Sequence, residues 1–205
     1  MIDHLAVFVA FFSVIDPIGT VPVFIAVTKQ YDAKAKRAVA LTASFVAAGI
    51  LLFFMLAGEL ILTALSIPLS AFQVAGGVVL FLFALSMIFG DSKPEEEMQL
   101  VADGKDTAVF PLAVPSIASP GAMLAAVMLT ENAKYGIWEQ VQTALIMLVV
   151  VFLALVCMLG STLMHRVMGK SGASVISRVM GLILASVAMN STLVGLKIFF
   201  SSDSP

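Results

Sequence analysis

The residues with chemistry to offer lie inside apolar runs. FFSVIDPIGTVPVF, at 11–24, places a carboxylate, Asp16, directly before Pro17, with Ile18, Gly19, Thr20 and Pro22 following. SIASPGAMLAAVMLT, at 116–130, repeats the arrangement with a hydroxyl, setting Ser119 before Pro120, Gly121 and Ala122. A carboxylate at mid-bilayer depth costs about 2.5–3.5 kcal/mol on insertion scales. Proline removes a backbone donor where no water replaces it. The residue before proline is pushed out of the α region, proline suits the first turn of a new helix, and Asp and Ser are strong N-caps. Each stretch therefore reads as the end of one half-helix and the capped start of another. Gly19 and Gly121 let backbone or ligand approach closely.

Such a break leaves donors at one half-helix start and acceptors at the other half-helix end, and these must face protein, water or a polar ligand. Helix N-termini favour anions and C-terminal ends favour cations. A zwitterionic α-amino acid carries both signs within a few ångströms. The expected pose sets its ammonium at Asp16 and its carboxylate at the Ser119–Ala122 turn, where a neutral cap leaves the donors near Gly121 and Ala122 for the ligand. Pro17, Ile18, Gly19, Thr20 and Asn190 complete the candidate lining. Asp16 is also the only acid deep enough to exchange a proton, so proton coupling is the expected driving force, although its cap role favours the ionised form. The plainer alternative is that both proline pairs only kink and cap their helices.

The elements that would hold these groups follow from apolar length. Six segments of about 20 residues or more, roughly 5–28, 38–62, 69–90, 107–130, 141–165 and 174–199, are separated by KQYDAKAKR, SIP, DSKPEEEMQLVADGK, ENAKYG and MGKSG. The centres of the first and fourth fall near 16.5 and 118.5, which puts both proline pairs close to the midplane. A chain 60% hydrophobic and 12% charged, with mean hydropathy +1.08, exceeds what a soluble domain of 205 residues can hide. Lipid takes the place of solvent, and the fold class is an all-α integral membrane protein of six transmembrane helices. The start, MIDHLAVFVAFFSV, lacks a basic n-region and is read as a retained first helix.

Lys29, Lys34, Lys36, Arg37, Lys93, Lys105, Arg166, Lys170 and Arg178 fall on one side, Lys134 and Lys197 on the other. That bias places the first, third and fifth loops in the cytoplasm and both termini outside. The acidic run Glu95-Glu96-Glu97 does not overturn it, because basic residues set the rule.

The two proline pairs stand 103 residues apart, and FQVAGGVVLFLFALS (72–86) aligns with ISRVMGLILASVAMN (176–190) at a spacing of 104, pairing Gly77 with Gly181 and Ser86 with Asn190. This reads as a duplicated three-helix unit, 1–90 and 107–205, joined by a cytoplasmic loop at 91–106. Three spans is an odd number, so the units are inverted relative to one another, an arrangement recurrent in secondary transporters whose site lies where matching spans are interrupted.

Other chemistries fare poorly. GKSG at 169–172 with His165 nearby reads as a basic interhelical loop rather than a nucleophile site. An intramembrane aspartyl protease needs a second deep acid, whereas Glu59 and Glu131 sit at span edges. Two histidines and the lone Cys157 make no metal constellation, and no Gly-rich phosphate loop appears. The expectation is a non-enzyme without metal or cofactor, with no nucleic-acid partner at a net charge of −2. Pro22, Pro111 and Pro115 read as ordinary kinks. Gly181 and Ala185, at small-xxx-small spacing, let helices approach. Gln73, beside Gly76-Gly77, divides evenly between packing and function.

DPIGTVPVF in the first span and SPGAM in the fourth resemble the MarC (SnatA-type) family, and the six-span length and charged third loop agree with it. The resemblance implies a bacterial or archaeal inner-membrane protein related to LysE-like exporters, moving small neutral amino acids such as glycine and alanine outward. It points to Asp16, Pro17, Gly19, Ser119, Pro120 and Gly121 around the breaks. The expected function is a secondary transporter working by alternating access. A passive channel for small solutes or ions, and a non-transporting membrane scaffold, are the alternatives.

Overall fold

The computed structural model describes residues 2–89, 108–132 and 134–202, with side chains described except at 69, 162–174, 176, 177 and 202. Among the described residues every regular element is helical: α1 (His4–Ile15), α2 (Thr20–Val27), α3 (Ala33–Ala64), α4 (Leu69–Phe89), α5 (Ala108–Ile117), α6 (Pro120–Met128), α7 (Ile137–Leu159) and α8 (Ser161–Ser202). Side chains fix several starts. Asp3 accepts from the N–H groups of Leu5 and Ala6, Asp32 accepts from Ala35 N–H at 2.8 Å, and Glu139 accepts from Gly136 N–H at 3.1 Å. Each satisfies donors that a helix leaves unpaired at its first turn.

Five stretches are long and apolar enough to cross a membrane: His4–Val27, Ala33–Ala64, Ser70–Phe89, Ile137–Leu159 and Arg178–Ser201. The pair α5 and α6, bent by 54°, makes a sixth when taken as one span. Large apolar side chains such as Leu56 (83% exposed) and Phe45 (75% exposed) point outward from them. Outward leucine and phenylalanine on spans of this length meet acyl chains instead of water. The chain is an all-α integral membrane protein.

The interior is built around α1, α2, α5 and α6. Phe11, Ile15, Phe24, Leu112 and Ile117 are fully or almost fully buried. Helix α3 packs on α5, α6 and α7; α7 packs on α1, α2 and α3; α2 packs on α5 and α8; α6 packs on α1 and α4. Helices α4 and α8 make the most extensive pairing and run antiparallel, with Gly77 against Ala188 and Thr192, and Gly181 against Ala84, Met87 and Ile88. A Cβ on Gly77 would stand 2.8 Å from Ala188 O, and one on Gly181 2.9 Å from Met87 Cβ. Gly77 and Gly181 are 104 residues apart, and so are their partners Ala84 and Ala188, and Ile88 and Thr192. Arg178 of α8 donates to Ile88 O at 2.7 Å, closing the end of α4. A cation suits that terminus, where the last carbonyls have no helical partner.

Two expectations need correcting. MGKSG was expected as a loop between the fifth and sixth spans, but the backbone is helical from Ser161 to Ser202, and the chain breaks earlier, at Gly160. Interior glycine costs only about 1 kcal/mol relative to alanine, and Met, Arg and Lys around it are good helix formers. Pro111 and Pro115, expected as ordinary kinks, interrupt α5 more deeply. The residues before them, Phe110 and Val114, are extended, and the wide turn closes through Ala118 N–H to Ala113 O at 2.8 Å. This is the local effect of proline on its predecessor, met twice in four residues. The loop expected at 91–106 lies outside the described residues, as do the side chains of His165 and GKSG.

Candidate functional site

The first break spans four residues. Helix α1 ends at Ile15, Asp16 takes a left-handed conformation (φ 48°, ψ 69°), and α2 begins at Thr20. Asp16 still donates its N–H to Phe12 O at 3.0 Å, while its carboxylate Oδ1 accepts Gly19 N–H at 2.9 Å. The Asp16 carbonyl takes both the N–H and the hydroxyl of Thr20, each at 3.1 Å. One residue thus closes the old helix and starts the new. Asp is among the few non-glycine residues for which left-handed backbone is accessible, because its short side chain bonds locally. Sequence rules place a pre-proline residue in extended backbone and proline at the first helical position. Here the left-handed turn delays α2 to Thr20, so Pro17 sits in the turn instead.

The second break is tighter. Ser119 is extended (φ −68°, ψ 157°) and Pro120 is the first residue of α6, as its fixed φ favours. The Ser119 hydroxyl accepts Ala122 N–H at 3.1 Å and donates to Val14 O, also 3.1 Å, in the last turn of α1. Three residues earlier, Ser116 donates to the Thr20 hydroxyl at 3.2 Å. The two breaks are therefore tied to each other twice, across 96 and 105 residues of sequence. Asp16, Thr20, Ser116 and Ser119 are all buried.

Nine of the ten candidate residues fall at this junction, eight of them buried or half-buried. Pro17, Gly19, Gly121 and Ala122 are buried within it and Ile18 is half-buried. A Cβ on Gly121 would lie 2.7 Å from Leu80 Cδ2 and 3.4 Å from Val14 Cγ1, so its small size admits close packing. Two residues depart from expectation. Pro120 is exposed between buried neighbours, which a residue without an N–H donor tolerates beside apolar surroundings. Asn190 is exposed on α8 and lines a different cavity. A third correction concerns Ala122: its N–H, expected to be left for a ligand, is taken by the Ser119 hydroxyl.

Asn190 belongs to a cleft of about 140 Å³ where the end of α6 and the α6–α7 loop meet α4 and α8, with Gln73, Glu131, Lys134, Tyr135 and Ser191 also on its walls. None of the residues of the two breaks lines it. Glu131 there titrates above the ordinary carboxylate value of 4.5, chiefly through burial, with Lys134 working against the shift and Glu59 adding to it. Sequence reading passed over Ser116 and Val14. The signal for Ser116 was its position one helical turn before Ser119. A backbone carbonyl such as Val14 O carries no sequence signal.

The MarC family integral membrane protein model matches residues 2–200. A UPF0056 membrane protein of Methanocaldococcus jannaschii is 32% identical over 193 residues, covering 93% of this chain and 94% of its own. A UPF0056 membrane protein of Aquifex aeolicus is 31% identical over 198 residues, covering 93% and 90%. The UPF0056 inner membrane protein YhgN of Escherichia coli K12 is 30% identical over 186 residues, covering 91% and 92%. No solved structure matches the chain.

Proposed function

The chain belongs to the MarC family of integral membrane proteins, and from that premise we propose that it is a secondary transporter of the inner membrane, exporting small neutral amino acids such as glycine and alanine. The observation that carries the reading is the pair of buried, mutually bonded helix breaks, Asp16–Gly19 and Ala118–Ser119. Interrupted helices in the interior of a membrane protein are tolerated where they are buried in protein or line a cavity, and matching interruptions in two halves recur at transporter binding sites. A dipolar guest replaces the internal bonds it displaces: its ammonium takes the Asp16 carboxylate, and its carboxylate takes Gly121 N–H and the Ser119 hydroxyl.

Two inverted three-helix repeats, 1–90 and 107–205, make the scaffold in this reading. The reciprocal glycine contacts of α4 and α8 support it, since a two-fold related pair meets through the same patch on both members. The packing agrees: α3 on α5 and α6 mirrors α7 on α1 and α2. The bias of Lys and Arg supports placing both termini outside. Alternating access then opens the junction to one side at a time, with Asp16 as the group that exchanges a proton.

Counterflow of radiolabelled alanine in proteoliposomes tests the reading. Wild-type flux saturates and is accelerated by alanine on the far side. Asp16→Asn lowers it about tenfold or more, the worth of one charge-assisted contact. Undiminished flux in that variant removes Asp16 from the mechanism, and flux that never saturates replaces the transporter with a channel. Acidifying the outside of loaded vesicles shifts the flux if protons are coupled to it.

A further inference from the structure

We propose that the cleft between the α6–α7 loop, α4 and α8 is a second binding site for a small zwitterionic amino acid, with Glu131 taking the ammonium and Lys134 the carboxylate. The proposal rests on the transporter reading for its ligand class but on different residues for its chemistry.

Opposite charges are presented from one turn, in which Lys134 N–H and Tyr135 N–H both bond to Glu131 O, at 3.1 and 2.9 Å. The Lys134 ammonium is held over the Tyr135 ring, 5.6 Å from its centre. Side-chain amides face the pair from two other helices, Gln73 on α4 and Asn190 on α8. The loop is pinned rather than loose: Glu59 of α3 accepts Asn132 N–H at 2.7 Å, and Gln140 of α7 donates to Asn132 Oδ1 at 2.7 Å and to Tyr135 O at 3.2 Å. A pinned wall lowers the ordering cost of binding. Size agrees as well, because a cavity of about 150 Å³ takes benzene, alanine has as many heavy atoms, and the cleft measures about 140 Å³.

Charge also agrees with a cationic guest. Burial and the neighbouring Glu59 hold the Glu131 proton more tightly than usual, against the pull of Lys134. An arriving ammonium adds to the positive charge that Lys134 already brings to this half-buried carboxylate, offsetting burial and Glu59. At the offset of 103 that relates the two proline motifs, Glu131 falls on Thr28 and Lys134 on Tyr31, so the pair is not repeated at the matching positions of the first half. The cleft lies at the α6–α7 end of the helices.

Equilibrium dialysis of radiolabelled alanine against the full chain in detergent tests this. Two alanines per wild-type chain, falling to one in Glu131→Gln/Lys134→Met, supports the cleft. One alanine per chain, unaffected by that double variant, overturns the cleft and leaves the central site standing. One alanine, lost in the double variant but kept in Asp16→Asn, supports the cleft and overturns the central site. No binding overturns both. Ser191→Cys in a Cys157→Ala chain gives a readout that leaves the charged pair intact. Alanine at ten times its Kd should slow labelling by a charged thiosulfonate about tenfold, the factor 1 + [L]/Kd. Equal rates with and without alanine overturn the proposal.

Discussion

At residues 16–19 the chain leaves its helix through a left-handed aspartate and takes four residues to begin again, whereas at 118–119 it restarts at once on a serine cap, between segments bent by 54°. Asp16 spends one carboxylate oxygen on its own turn, at Gly19 N–H, while the Ser119 hydroxyl both caps its helix and reaches over to Val14 O. The carboxylate accepts within its own turn, while the hydroxyl ties the two breaks together. The division has a physical reason. A hydroxyl donates and accepts at once, whereas an ionised carboxylate only accepts and so cannot bond a facing carbonyl.

Erasing that division should give the largest effect. Ser119→Asp puts a second acid into the junction, and thermal unfolding in detergent should show a loss of about 2.5–3.5 kcal/mol, the insertion cost of a deep carboxylate. An unchanged midpoint would mean that the second break already has room and solvent for charge. Ser119→Ala removes the cap of Ala122 and the bond to Val14 O together, and should cost about 1–2 kcal/mol. At the first break, Asp16→Asn and Asp16→Ala should differ from each other by about 1 kcal/mol in stability, because only asparagine keeps a capping oxygen and tolerates left-handed backbone. Equal stability would show that the carboxylate, not the turn, is what the position needs.

Smaller still is the link between the hydroxyls. Thr20→Val or Ser116→Ala should each cost about 0.6 kcal/mol, the usual worth of a polar contact between membrane helices, and the double variant should cost less than the two together. Additive losses would dissolve the link. The smallest effect concerns pH. The folded chain holds the Glu131 proton more tightly than the unfolded one, first through burial, with Lys134 opposing and Glu59 adding. Stability therefore falls as pH rises from 4.5 through the raised value, and Glu131→Gln flattens that slope.

Much of the junction was legible because proline acts on its neighbours through covalent geometry, which sequence states directly. Asp16-Pro17 and Ser119-Pro120 lie where α1 gives way to α2 and α5 to α6, and their hydrophobic surroundings announced membrane-spanning length. What depends on a distant partner was not legible. The bond of Ser116 to Thr20 joins residues 96 apart, and nothing local to Pro120 states that it faces outward while Ser119 and Gly121 are buried. Asn190 was expected in the lining of the junction, yet it lines the cleft of Glu131 and Lys134 instead. The helical course of MGKSG escaped notice because glycine pairs signal turns only as a tendency, and tertiary context overrides them.

The close glycine seams of α4 and α8, together with the Arg178 clasp on Ile88 O, carry a mechanical consequence. Backbones nested that tightly have no slack to slide, since one residue of slippage would drive Cβ atoms into the Ala188 and Ala84 carbonyls. The pair acts as a keel, and any change of shape shifts the other helices relative to it instead of sliding α4 along α8.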